Sequence, residues 1–234
     1  MSSFDIQETL GVASEEILAK RHNLFVGASD TPWFRDGRRL EELVTWAVEH
    51  TRDSLLVCLP GRLYSSNVFH VDKEGRASAL KRGYQLEDTY RARIESVLRD
   101  HPRRETVRVI GYGDLHTREF VMRKEALYRA FSIRRGFYQR VIEVAKEYLV
   151  ARQRPTDDLR AEAIAVYQLQ ELPIFISPMS TIDSHTTHSA VIYPGFGKFD
   201  LLAHDLATSD KFPEIPNWFK PETPMGIASV RLVG

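Results

Sequence analysis

Residues 22–28, HNLFVGA, form a compact apolar run that ends in small residues, with Ser29 immediately after it. A continuous apolar run without polar alternation predicts a strand covered on both faces, which is the habit of parallel sheets. Working outward, residues 38–50 (RRLEELVTWAVEH) place Leu40, Leu43, Val44 and Ala47 at helical spacing. Residues 54–59 then give a second apolar strand, ended by Pro60-Gly61. Residues 77–100 carry Leu80, Tyr84, Leu86, Tyr90, Ile94, Val97 and Leu98 on about half of a helix circumference, and residues 106–110 read as a third strand. Strand, helix, strand, helix, strand is the rhythm of an α/β fold, a Rossmann-like, mostly parallel sheet with helices on both faces. Ligands in such sheets bind beyond the carboxyl ends of the strands, which puts Ser29 at the rim of the expected site.

The remaining pattern completes one domain. Ser14 caps a short helix to about residue 21, and a second long helical region runs from about 119 to 152 with a break near Gly136. Pro155, with Thr156 as N-cap and Asp157 and Asp158 in the first turn, opens a helix that Pro173 is expected to stop. Residues 184–193 (SHTTHSAVIY) predict a fourth strand, and residues 199–207 a short helix. The last 27 residues hold four prolines and little periodicity. The expected organisation is a single catalytic domain over 1–207 followed by an irregular tail over 208–234.

Composition bounds the function. The chain has 234 residues, 43% hydrophobic and 27% charged, which is ordinary for a soluble globular protein. Its single cysteine, Cys58, excludes an intrachain disulfide framework and reads as a small buried hydrophobe. No basic leader with an apolar core opens the sequence, and no run approaches the roughly 20 apolar residues of a membrane span. A cytoplasmic protein with no membrane or DNA partner is expected, and a monomer is favoured. The net charge is zero but unevenly spread. Residues 76–108 carry nine Lys/Arg against five acids, and residues 118–154 ten against four, with acidic flanks. Basic blocks on a neutral protein suit a localised polyanion-binding face. On the 77–100 helix, Lys81, Arg82, Arg93 and Arg99 gather opposite the apolar side, and Arg91 falls among the apolar residues.

Residues 165–175, AVYQLQELPIF, set Tyr167 and Glu171 four apart on one helix face, a phenol and a carboxylate in an apolar setting suited to proton chemistry. Ser29 offers a hydroxyl at a strand end after Gly27-Ala28, the posture of a nucleophile. No GxxxxGK[ST] loop, GxGxxG turn or G-x-S-x-G elbow occurs. His185 and His188, with Asp183 nearby, are three apart on an expected strand, which sends their rings to opposite faces, so no metal and no cofactor is expected.

These residues together resemble the cyclodipeptide synthases, tRNA-dependent enzymes built on the catalytic domain of class I tyrosyl- and tryptophanyl-tRNA synthetases. The resemblance runs from about residue 14 to residue 205. It rests on EEILAKRHNLFVGASDTPWF, LEELVTWA, KRGYQLEDTYRARIESVLRD, RVIGYGDL, YQLQELPIF and the VIY strand. It implies that Ser29 accepts an aminoacyl group from a charged tRNA, that Tyr167 and Glu171 of the Y-x-x-x-E-x-P turn hold the amino group and move protons, and that Tyr193 assists cyclisation. It assigns tRNA docking to Lys81, Arg82, Arg93 and Arg99, and leaves Gly27, Asp30, Tyr112 and Asp114 to hold substrate. The loop after Ser29 departs from the family pattern, with Thr31-Pro32 in place of an asparagine, and an aromatic hydroxyl expected after the third strand's turn corresponds to Phe120. That divergence resembles the arginine-using fungal branch, for which Asp30 or Asp114 would receive the guanidinium. A tRNA- or RNA-binding protein without transferase activity, and a small-molecule hydrolase or nucleotide-binding α/β protein, are the competing classes.

Overall fold

The computed structural model describes residues 3–29, 31–61, 63–65, 69, 75–181 and 186–233. The apolar run 22–28 supplies strand β2 (Leu24–Gly27), which follows β1 (Ser3–Leu10) in the chain. It pairs in parallel on both sides, with β3 (Leu55–Leu59) through Leu24↔Leu55 to Gly27↔Cys58, and with Ala190, Val191 and Ile192 of a later strand. Beyond β3 lies β4 (Val107–Gly111) at one edge; the later strands are β5 (Ala190–Tyr193) and β6 (Gly226–Val233). The six strands run β1-β6-β5-β2-β3-β4, all parallel except β1, which pairs antiparallel with β6.

Alternation along the central strands divides the core. Leu24, Val26, Leu55, Val57 and Leu59 point to one face and Phe25, Leu56 and Cys58 to the other. The first face is covered by α3 (Gly37–His50), which follows the short helices α1 (Ser14–Leu18) and α2 (Pro32–Arg35), and by α4 (Arg76–Leu98). Leu40, Leu43, Val44 and Ala47 of α3 and Tyr90 and Ile94 of α4 are buried there, as their spacing predicts. On the opposite side, α5 (Arg118–Ser132), α6 (Gly136–Ala151), α7 (Asp158–Ile176) and α8 (Lys198–Thr208) share a second cluster built around Leu127, Phe137, Ile164, Leu169 and Leu202. The break expected near Gly136 separates α5 from α6, with Arg134 in the left-handed region at φ 56°.

Several expectations are corrected. Residues 208–234 are not an irregular tail: Gly226–Val233 is β6, a strand internal to the sheet. All four prolines precede it, and its first five residues are covered on both faces, so no alternation marks it. Strand β1, unforeseen, shows the alternation of a half-covered edge strand in Phe4, Asp5 and Ile6. Helix α7 is capped by Asp157, whose Oδ1 accepts the Arg160 N–H at 3.1 Å, and not by Thr156. Pro173 does not stop α7, which continues to Ile176; a proline costs one ladder bond, and burial of Ile174 and Ile176 outweighs that near a helix end. Ala13, not Ser14, is the N-cap of α1. On α4, Tyr84 and Val97 are exposed despite lying on the apolar half. The expected fourth strand shortens to 190–193; His188 forms a lone bridge with Met179, and His185 and Asp183 lie outside the described residues. No helix among the described residues is long and apolar enough to cross a membrane.

Since Ile227 of β6 is fully buried in the second cluster, Ile227→Ala is expected to lower the unfolding free energy by about 2 to 5 kcal/mol in denaturant titration. An unchanged midpoint would remove β6 from the core.

Candidate active site

The chain steps from β2 to β3 to β4 in one direction and then returns to β5 on the other side of β2. This reversal opens a crevice at the carboxyl ends of β2 and β5, the usual ligand position of such sheets. A cavity of about 270 Å³ occupies it. Gly27, Ala28 and Ser29 line it from the end of β2, Cys58, Leu59 and Pro60 from β3, and Tyr193 from β5. Tyr167, Gln168, Glu171 and Phe175 of α7 and Tyr148 and Arg152 at the end of α6 complete the wall.

The four-residue spacing of Tyr167 and Glu171 places both on the cavity face of α7, where the Tyr167 hydroxyl donates to Glu171 Oε1 at 2.8 Å. Because α7 runs past Pro173, the pair sits within the helix body and faces the cavity sideways, not beyond a helix end. Burial pushes the Glu171 carboxyl up to about 7; the Tyr167 hydrogen bond and the Arg152 guanidinium work in the other direction. Arg152 is held over the Tyr148 ring at 4.7 Å. Burial and the nearby carboxylate also raise the Tyr167 phenol well above its ordinary range. The tyrosine hydroxyls therefore stay protonated near neutrality, and burial lifts the Glu171 carboxyl above the ordinary carboxylate range.

Tyr193 has a partner that the sequence did not reveal. Its hydroxyl donates to both oxygens of Asp200 in α8, at 3.0 and 2.8 Å, and the Gly197 N–H donates to Asp200 Oδ2 at 2.8 Å. Asp200 is fully buried, and burial pushes its carboxyl up to about 6 against those hydrogen bonds. The segment P-G-F-G followed by an aspartate three residues after Gly197 was the available signal, a helix start whose N3 acid turns back to the cap. Tyr112 also lines the cavity and donates to the Gln170 carbonyl at 2.7 Å. It supplies an aromatic hydroxyl after β4, where Phe120 was expected to have removed one; the Phe120 ring packs edge-on against it.

Ser29 lines the cavity, and its carbonyl accepts the Tyr90 hydroxyl of α4 at 3.2 Å. No histidine among the described residues lines the cavity. A Cβ at Gly27 would meet only the Phe25 ring, at 3.4 Å. Cys58 lines the cavity too; burial, with Glu87 and Glu171 nearby, raises its thiol far above the ordinary range. Asp30 lies outside the described residues. Asp114 is exposed and accepts the Gly111 N–H at 3.0 Å in the turn after β4; it does not line the cavity itself, but its charge is felt by the Cys58 thiol in the wall. The basic helix residues are not equivalent. Lys81 and Arg99 are exposed, and Arg82 donates to the hydroxyl of Tyr64 at the cavity wall, at 3.3 Å. Arg93 pairs with Glu41 at 3.3 Å and stacks on Tyr90, tying α4 to α3. Among the described residues no cluster of His, Cys, Asp and Glu could hold a metal ion.

Glu171 rises from 4.5 to about 7 on folding and Asp200 from 3.8 to about 6, so the folded chain keeps protons that the unfolded chain releases. Both groups therefore subtract stability as pH rises through those intervals. Glu171→Gln is expected to raise the thermal midpoint relative to the parent at pH 8 and to leave it unchanged at pH 4, read by calorimetry; an equal change at both values would contradict the shifted carboxyl.

A family model for cyclodipeptide synthases matches residues 4–195. No curated protein sequence matches the chain. Among solved structures, a cyclodipeptide synthase from Bacillus thermoamylovorans is similar at a TM-score of 0.72 and 14% identity, covering 94% of this chain and 93% of its own. A cyclo(L-leucyl-L-phenylalanyl) synthase is similar at 0.69 and 16% identity, over 99% of each chain. A Mycobacterium tuberculosis protein, whose structure relates cyclodipeptide synthetases to type I tRNA synthetases, is similar at 0.70 and 12% identity, over 93% of this chain and 89% of its own. The parallel sheet with its switch-point cavity and the family match over residues 4–195 lead to one conclusion: the chain belongs to the cyclodipeptide synthases, tRNA-dependent aminoacyltransferases that make cyclic dipeptides.

Proposed function

We propose that Ser29 is the acyl acceptor and Glu171 the proton carrier of a two-tRNA synthesis of a 2,5-diketopiperazine. An aminoacyl ester is already activated, so the protein's task is to position it and relay protons. Ser29 Oγ attacks the first ester carbonyl, the bond to the ribose oxygen breaks, and the serine proton leaves with that oxygen. The α-amino group of the aminoacyl-enzyme then attacks the second ester. Glu171 takes the amine proton and returns it to the departing ribose oxygen, and a dipeptidyl-serine ester remains. Attack of the new terminal amine on that ester closes the ring and returns the proton to Ser29. Tyr193, whose one hydroxyl proton is held by Asp200, offers its oxygen as an acceptor to the attacking amine N–H in this last step. The observation that carries the reading is a carboxyl at about 7, bonded to Tyr167, in the same cavity as Ser29.

The tRNA would lie along α4, with phosphates near Lys81 and Arg99 and the acceptor end passing Arg82 to the cavity mouth. Arg93 then contributes by holding the helix. Arginine as one of the two amino acids rests on the sequence resemblance alone. Arginyl-tRNA supplied with one partner at a time tests that preference.

Incubation with total charged tRNA and mass spectrometry of the products is the primary test. Cyclic dipeptides are expected; intact aminoacyl-tRNA would favour a binding protein without transferase activity, and free amino acids a hydrolase. Ser29→Ala is expected to abolish product, and Glu171→Gln to slow it by about 10²- to 10⁴-fold. If Ser29→Ala retains full activity, the acyl-enzyme is wrong. Lys81→Ala and Arg99→Ala are each expected to reduce the salt dependence of tRNA binding by about one unit of slope.

A further inference from the structure

Gln168 is a polar side chain of the cavity wall that the reaction above does not use. It is only 4% exposed, and its Oε1 is buried with no hydrogen-bond partner among the described residues. Leaving a buried amide oxygen unpaired is costly, and native chains keep such groups where something outside the polypeptide completes them. Its position says what that is. Gln168 follows Tyr167 and precedes Glu171 by three residues, so it borders the reacting pair on α7. Phe175, seven residues on, shares its side of the helix and also lines the cavity. The Phe175 ring meets the Tyr193 ring at 5.9 Å and the Phe199 ring at 5.2 Å, both edge-on. An aromatic wall with one unpaired acceptor beside it is the composition of a pocket that selects its occupant by a single polar contact.

We propose that Gln168 is a specificity-determining residue: its carbonyl accepts a hydrogen bond from an N–H or O–H of the side chain of one of the two aminoacyl groups. The α-amino groups are served by Tyr167 and Glu171 in the proposed reaction, on which this inference rests, so the donor left for Gln168 is the substrate side chain. A site that accepts a hydrogen bond rejects an isostere lacking the donor, because the acceptor then stays buried and empty.

The test compares the full chain with Gln168→Met, which keeps length and burial but removes the acceptor. Each is incubated with total charged tRNA and the cyclic dipeptides are quantified individually. The expected result is that products with a donor-bearing side chain fall at least about tenfold relative to products built only from apolar residues. A parent-like distribution, or an equal fall of all products, would overturn the inference; the latter is also the result if Gln168 holds only a bound water or the helix. Thermal unfolding supplies a second reading: a midpoint at or above the parent's is expected for Gln168→Met, since no bond within the protein is lost. A marked fall would show a structural role and overturn the inference. Absence of any cyclic dipeptide from the parent would instead remove the acyl-transfer reading, and this inference with it.

Discussion

The parallel pairing of β2 on both sides is the constraint on which the molecule depends. A strand flanked by parallel neighbours cannot be joined to either by a hairpin, so the chain leaves β2 through helices to reach β3 and returns through helices to reach β5. The two excursions separate above the carboxyl end of β2, and the gap between them is the cavity. Ser29 is at its floor because it is the second residue after the strand.

That roof determines the chemistry. Helix α7 carries a carboxyl into the half-buried cavity wall, and desolvation there raises its proton affinity. The same surroundings hold three tyrosines, at 112, 167 and 193, as protonated donors aimed at oxygen acceptors. Their single protons are committed to the Gln170 carbonyl, Glu171 and Asp200, so the tyrosines order the lining and supply no free donor to it.

The sequence carried the centre of the fold and not its margins. The apolar run at 22–28 and the helical spacing at 38–50 and 77–100 were legible because burial on both faces and burial on one face leave different periods. β6 was not, because the four prolines before it suggested irregularity and its covered residues show no alternation. Tyr167 and Glu171 were legible from spacing, yet their relation to the helix end was not, since packing of residues after Pro173 overrides the local signal. Asp200 and Gln168 escaped notice for a shared reason. A buried polar group is defined by what does or does not lie opposite it, and those partners come from elsewhere in the chain. The basic stripe shows the same limit: Arg93 has the periodicity of a solvent-facing residue but is bound to Glu41, fifty-two residues away.

Cys58 places a sulfur atom in the cavity wall, and its surroundings decide whether that sulfur can react. A thiolate beside an activated ester would capture the acyl group as a thioester, a faster exchange than any alcohol offers. Burial and the carboxylates around it keep the sulfur protonated and turned to the Leu59 carbonyl at 3.8 Å. The desolvation that raises the Glu171 carboxyl thus also quiets the thiol, so which atoms of the cavity stay inert is a property of the whole lining.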